Sequence, residues 1–413
     1  MNNNTKTRAA LAGSLLAAAL LGGVKRPVLA DEASPNTDNA ALQSRIDNLE
    51  KLLNDQAAQL NELKKEQADL QKKSDAADKA GPAVGTKTKI PLTFNGLVQI
   101  EGLTRLSEDS PTNTPGTFRL RRGQFGLQAQ ITPKVSATAS FDFAKKNNTS
   151  TSAADSILQD LYVSYLLNQG KDKQNSNFID VGQQKVPFGY ESLLSSSALP
   201  LVEAGLMYQE RDPDKGNYGN GRDTGVQLRG TQGKFDYRLG IFNGLGEQQN
   251  TLALSDAKAF IGRVGYHFTP DLQVGVSGGH ANTGINAAGQ RADRSLWNGY
   301  AVYNHAKLTL QGEYTQGDYS DPLNRIQDIR SYYGHVGYYL TPKLEGVARA
   351  DFLTFRNVDA DVKQYTVGLN YYLKGNNAKI QLDLVHTDGD PASPDANFRY
   401  NSNELRTLFQ VAF

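Results

Sequence analysis

Thr132-Pro133-Lys134-Val135-Ser136-Ala137-Thr138-Ala139-Ser140-Phe141-Asp142-Phe143 decides the fold. A short turn leads into strict alternation, with Val135, Ala137, Ala139, Phe141 and Phe143 on one face and Ser136, Thr138, Ser140 and Asp142 on the other. A period of two is that of a β-strand, whose successive side chains point to opposite sides of a sheet. Both parts recur downstream. Thr269-Pro270-Asp271-Leu272 and Thr341-Pro342-Lys343-Leu344 repeat the turn, while residues 92–102, 235–241, 308–314, 365–373 and 405–413 repeat the alternation.

From Thr231 onward the short turns begin at residues 231, 269, 304, 341 and 374, one hairpin and one longer loop apart. The intervening loops, such as 243–256, 281–294, 317–328 and 388–403, are longer and rich in Asp, Asn, Gly and Pro. Short turns at one end and long loops at the other are the asymmetry of outer-membrane barrels. Walking hairpin by hairpin from residue 92 to residue 413 counts sixteen strands, and an even count returns the last strand beside the first. Closure leaves no unpaired edge in lipid. A soluble sandwich or propeller would bury its apolar faces in a core holding few polar residues. Here the second face is long, polar and charged, as a water-filled lumen requires, so residues 90–413 read as an all-β, 16-stranded antiparallel transmembrane barrel.

Before it, residues 1–30 read as a secretory signal: Lys6 and Arg8, an apolar run from Ala9 to Val24, then Val28-Leu29-Ala30 at the cleavage position. The run is shorter than the roughly 20 residues a spanning helix needs. Residues 31–41 form a polar tether. In 42–73, Leu42, Leu49, Leu63 and Leu70 fall in one heptad column and Ile46, Leu53 and Leu60 in the other, which predicts a short periplasmic coiled coil able to join three copies and to reach the cell wall, ahead of a helix packed on its own barrel. Gly81-Pro82 and Gly85 make 74–89 a linker.

Composition excludes several functions. There is no Cys, so disulfides, thiolate metal sites and cysteine nucleophiles are ruled out, and the five His lie without ligand spacing. Removing the four basic residues of 1–30 turns a formal charge of +1 into −3, which argues against nucleic acid as a partner. No motif asks for catalysis, a metal or a cofactor: His267 and His335 have no nucleophile turn near them in sequence, and Ser195-Ser196-Ser197 reads as loop.

Four segments carry a family likeness: Phe118-Arg119-Leu120-Arg121-Arg122-Gly123, Val181-Gly182-Gln183-Gln184-Lys185-Val186-Pro187-Phe188-Gly189, Tyr208-Gln209-Glu210-Arg211-Asp212 and Arg222-Asp223-Thr224-Gly225-Val226. The barrel resembles the phosphate-selective porin O and P family through these patches, with the coiled coil an addition outside the match. The resemblance implies a trimeric barrel whose third external loop folds inward, and in some members a basic lumen that selects phosphate. It also implies that the last strand, ending in Phe413, is the address read by the barrel-insertion machinery.

The residues themselves supply such a loop. The third long connection, 188–222, carries Leu193, Leu194, Leu201, Leu206 and Met207, too apolar for a loop in water, so it is expected to pack in the lumen and constrict it or to pack on a neighbouring subunit. By alternation the inner face should carry Arg229, Arg238, Arg263, Lys307, Arg349, Lys379 and Arg406, against Glu101, Asp142, Asp160, Asp236, Glu313, Asp351 and Asp383. Lys185 differs in parity from Asp180, so both face inward only across a bulge. Arg119, Arg121 and Arg122 also require a bulge to share the lumen. Of these cations Arg119, Arg121, Arg122, Lys185, Arg229, Arg238, Arg263 and Arg349 are the candidate anion-binding residues, with Lys185 and the three arginines of 119–122 foremost, because charges at a constriction outweigh those at wide places. The expected function is a passive diffusion pore for small hydrophilic solutes that favours anions such as phosphate. The other reading is a coiled-coil-bearing outer-membrane anchor with a closed or narrow barrel.

Overall fold

The computed structural model describes residues 38–79, 90–110, 116–145, 157–170, 175–209, 221–244, 258–285, 291–320, 326–395 and 398–413. The expected signal segment 1–30, the tether up to residue 37 and residues 80–89 of the linker lie outside them. The chain divides into two compact units, residues 1–88 and Lys89–Phe413.

In the first unit the described residues form one helix, α1, Asp38–Lys79. This corrects the expected coiled coil. Leu49, Leu53 and Leu60, the middle of the proposed seam, are 64, 69 and 40 % exposed, and among the described residues no second helix packs on them. The apolar columns are interrupted by Gln56 and Gln67, and the helix stands on the propensity of its Ala, Leu, Glu, Gln and Lys residues rather than on a buried stripe. The periplasmic coiled coil, and cell-wall contact through it, fall with this correction. The membrane assignment rests on the barrel alone.

The second unit is a closed antiparallel barrel of sixteen strands. They are β1 Leu92–Glu108, β2 Thr117–Thr132, β3 Val135–Asp142, β4 Leu158–Gln169, β5 Ser176–Lys185, β6 Arg222–Gln232, β7 Phe235–Phe242 and β8 Ala259–His267. The second half comprises β9 Leu272–Ile285, β10 Arg291–His305, β11 Leu308–Ser320, β12 Ile326–Thr341, β13 Leu344–Phe355, β14 Ala360–Lys374, β15 Ala378–Asp388 and β16 Ser402–Ala412. No described helix is long and apolar enough to cross a membrane; the strands do the crossing. β1 pairs with β16 from Leu97↔Ala412 to Glu108↔Ser402, and Gly96 and Phe413 exchange backbone hydrogen bonds of 2.8 and 3.0 Å at the end of the seam.

The recurrent Thr-Pro turn has one physical cause. Thr132 Oγ1 accepts from the amides of Lys134 and Val135 at 3.2 and 3.0 Å. Thr269 does the same for Asp271 and Leu272, and Thr341 for Lys343 and Leu344. A threonine hydroxyl thus closes each turn while proline fixes the backbone. On the outer face, rings of Trp297, Tyr314, Tyr332, Phe352 and Tyr365 run from neighbour to neighbour at centroid separations of 4.7–6.5 Å, an aromatic girdle of the kind that sits at a membrane interface. On the inner face of β13, Glu345, Val347, Arg349, Asp351, Leu353 and Phe355 are buried in alternation.

Two irregularities put charges in the lumen. The register of β2 against β1 shifts between Gln99↔Arg122 and Ile100↔Leu120, which leaves Arg121 as the extra residue and lets Arg119 and Arg121 both reach Glu101. In β5, Gly182 takes φ +134°, and beyond it Gln183 and Gln184 are both buried, so that Asp180 and Lys185 each have inward partners. A β-carbon at Gly182 would lie 2.2 Å from the carbonyl oxygen of Leu161. Gly182→Ala should therefore cost about 1–3 kcal/mol and lower the temperature at which the detergent-solubilised barrel loses its unheated gel mobility. Gly233→Ala, at φ +59° but with nothing within 4 Å of the added carbon, should cost less.

Candidate functional site

A loop inside a lumen has no partner strand, so its backbone groups must be satisfied by the wall. The described part of the third loop, residues 188–209, meets that demand residue by residue. Glu313 on β11 accepts from the amides of Tyr190 and Glu191 at 2.9 and 2.8 Å. Asp351 on β13 accepts from Leu206 at 2.9 Å and Asp383 on β15 from Val202 at 2.7 Å. The loop carbonyls are taken by donors: Arg349 holds Glu203 O, Asn370 holds Pro200 O, Lys379 holds Leu199 O and Gln410 holds Ser197 O, at 2.7–3.0 Å. Ser277 on β9 accepts from Gly189 at 2.8 Å.

Side chains of the loop complete the attachment. Glu191 pairs with Arg349 at 3.0 Å and accepts from Gly205 at 2.7 Å. Glu203 pairs with Arg121 at 2.6 Å and with Arg406. Tyr208 donates to Glu313 at 2.8 Å. Leu199, Leu201, Val202 and Leu206 are buried, and Leu206 and Tyr208 join an apolar cluster with Phe188, Phe242, Ile261 and Leu353. Leu193, Leu194 and Met207 are partly buried.

The expected anion-binding residues are distributed unevenly. Lys185 donates to the carbonyls of Ser192 and Leu194 at 2.9 and 2.8 Å, so it ties down the loop it was expected to accompany. Arg119 and Arg121 share Glu101, and Arg122 donates to Gln99 at 2.8 Å. Arg229 pairs with Asp180 and lies 4.2 Å over the ring of Phe178; Arg263 pairs with Asp236 and lies 4.8 Å over Tyr300. Arg238 stands between these two in register and has no ion pair among the described residues. Lys307 is exposed in the β10–β11 turn rather than on the inner face, because the strand ends at His305.

Sequence reasoning missed Arg222, Glu203 and Glu191. Arg222 faces Lys185 across the β5–β6 pair, holds Asp160 at 2.8 Å and lines a small cavity with Arg122 and Lys185. Its signal was present in Arg222-Asp223-Thr224-Gly225-Val226, but it was placed at the end of a loop instead of the start of a strand. Glu191 and Glu203 carry no periodic signal, since they lie in irregular backbone. Among the described residues no three His, Asp or Glu side chains are grouped as a metal site.

The model of phosphate-selective porin O and P matches residues 102–296 and 272–413. The chain belongs to that family. It is an outer-membrane porin, a passive diffusion channel for small hydrophilic solutes. Solved structures share the fold at low identity. An anion-selective porin from Comamonas acidovorans is 14 % identical with a TM-score of 0.58, covering 79 % of this chain and 100 % of its own. The outer membrane channel DcaP of Acinetobacter baumannii is 14 % identical at 0.54, covering 80 % and 100 %. Salmonella typhi OmpF, in complex with daunomycin, is 12 % identical at 0.57, covering 78 % and 97 %. None of the curated proteins matches the chain.

Burial raises the pKa of the Glu191 carboxyl above its ordinary value, with Arg349 opposing the shift in part. A raised carboxyl is neutralised first as pH falls, so the Glu191–Arg349 pair should be lost at a milder acidity than a pair on the surface. Single-channel traces of the porin should show more brief closures at about pH 5 than at about pH 8 as loop three loosens. Glu191→Gln should show those closures at both values.

Proposed function

We propose that the porin favours small anions, phosphate among them, and that the preference arises beside loop three. The observation that carries this reading is the facing of Lys185 and Arg222 across β5 and β6, with Arg122 lining the same cavity. Like charges opposed across a strand pair repel one another, and a site that gathers three cations beside an inward loop is suited to a passing anion. A second basic feature lies beside it. The hydrogen bonds given for the described part of loop three, 188–209, go to β1, β2, β5, β9–β11 and β13–β16, while β6, β7 and β8 present Arg229, Arg238 and Arg263 side by side. Guanidinium groups in a row hand an anion along through forked donors. Composition alone cannot give the preference, since residues 90–413 hold 31 basic and 32 acidic side chains. The anion selectivity of the Comamonas acidovorans porin is in keeping with it.

The same reading covers assembly. The signal at 1–30 directs export, the barrel associates as a homotrimer in outer-membrane lipid, and the last strand is read by the insertion machinery. On β16 and beyond, Phe409, Val411 and Phe413 are exposed on the outer face.

Charge reversal at Lys185 or Arg121 would also dislodge loop three, so Arg238 is the cleaner probe of selectivity. In planar bilayers under a salt gradient, the wild type should show an anion-selective reversal potential, and Arg238→Glu should lower the anion-to-cation permeability ratio by roughly twofold or more. A cation-selective wild type, or an unchanged ratio in the variant, would leave a general diffusion pore; a chain that inserts and conducts nothing would favour the anchor. Deletion of Phe413 should reduce the folded, heat-modifiable form in membranes, and a normal yield would count against its role in assembly.

A further inference from the structure

Between loop three and the short turns lies a second cavity, of about 570 Å³, that the anion reading does not use. Tyr190 and Pro200 of the loop bound it on one side and Lys343 and Asn376 of the turns on the other. The wall between them belongs to β10–β14. Its chemistry differs from that of the basic row on β6–β8.

His335, on β12, forms part of this wall and is 4 % exposed. Both of its ring nitrogens are buried without a hydrogen-bond partner. An imidazole always presents a donor or an acceptor at each nitrogen, and native interiors rarely leave either idle. Its register neighbours do not use it: Gln311 donates to Tyr333 and Arg349 is engaged with Glu191. The absence of a side chain at Gly337 keeps room beside it, for a β-carbon there would lie 3.6 Å from His335 Nε2 and 2.5 Å from Glu345 Oε1.

Glu345 is oriented into place by Asn370 and the Tyr372 hydroxyl, which donate to its Oε2 at 3.1 and 2.6 Å. With Glu345 in the wall and Lys343 at the turn end, the cavity carries no excess of positive charge to draw an anion. Beside Glu345 the rings of Tyr339 and Tyr372 lie 5.8 Å apart and tilted by 31°, and Tyr190 supplies a third ring from the loop. Aromatic faces, a carboxylate, an amide and an imidazole whose two nitrogens lack partners make a set that recognises hydroxyl groups on an apolar ring. The hydroxyls both donate and accept, and the C–H face stacks on tyrosine.

We propose that this cavity is a binding subsite for a neutral polyhydroxylated solute, a mono- or disaccharide. Its volume falls within the roughly 300–1,000 Å³ usual for such ligands. His335 and Glu345 take the hydroxyls, Gln311 lies beside them, and Tyr339 and Tyr372 take the ring. The proposal rests on the channel reading only for access of the solute from the turn side.

Maltose is the probe. Added on the turn side of full-length protein in planar bilayers, it should reduce the salt current reversibly and with saturation, whereas glycerol at matched viscosity should not. His335→Leu and Tyr339→Ala should each raise the half-saturating concentration roughly tenfold, the size expected for losing one hydrogen-bonding group or one stacking face. Both should leave the salt conductance and reversal potential as in the wild type. Tyr339 is partly exposed at the rim, so its variant is read even if the buried His335 variant folds poorly. A conducting wild type indifferent to maltose, or both variants saturating like the wild type, overturns the proposal. If the protein conducts nothing, the channel reading fails by itself, and calorimetry on the detergent-solubilised protein then decides: saturable heat with maltose upholds the subsite and its absence overturns it.

Discussion

An amide or carbonyl left unpaired in hydrocarbon costs several kcal/mol, and a spanning strand carries one of each per residue. That single constraint organises the barrel. It demands a ring with no edge, which here is completed where β1 meets β16 and Gly96 exchanges hydrogen bonds with Phe413. Once the ring is closed, the period of two sorts every other side chain outward to lipid or inward to water. The aromatic girdle and the charged inner face are two consequences of the same geometry.

The constraint acts again inside. Loop three crosses a polar space without a partner strand, and the wall supplies partners through Glu313, Asp351 and Asp383 for its amides and Arg349, Asn370, Lys379 and Gln410 for its carbonyls. Much of the acidic charge in the lumen is thereby committed to backbone donors. The near-equality of acids and bases in the barrel therefore says little about what a solute meets. A carboxylate that accepts two or three hydrogen bonds and touches an arginine presents little free charge to the pore, whereas Arg238 keeps its own.

Strand positions were legible because alternation and turn chemistry are local. Thr132, Thr269 and Thr341 close their turns through their own hydroxyls, so the motif carries its structure within four residues. The need for bulges near Arg121 and between Asp180 and Lys185 could also be read, since parity arithmetic forbids the alternative; Gly182 was visible in sequence, but its positive φ was not. The partners of loop three were hidden, because Glu191 reaches Arg349 across 158 positions and nothing periodic links them. The heptad at 42–73 misled for the opposite reason. A two-column apolar pattern is necessary for a coiled coil, but it does not supply a partner helix, and α1 keeps Leu49 and Leu53 in solvent.

Loop three divides the inner surface chemically as well as sterically. Lys185, Arg222 and Arg122 gather at one cavity beside it, while His335, Glu345 and three tyrosines gather at the other. Arg349 stands at the junction, paired with Glu191 of the loop and in register beside His335. A displacement that broke the Glu191–Arg349 pair would leave Arg349 to Asp351 and the Glu203 carbonyl, and would move Tyr190 on the loop side of the second cavity, which precedes Glu191 in the chain. The two regions are thus coupled through one buried ion pair, and the loop that crosses the lumen also bears on the polarity of the space behind it.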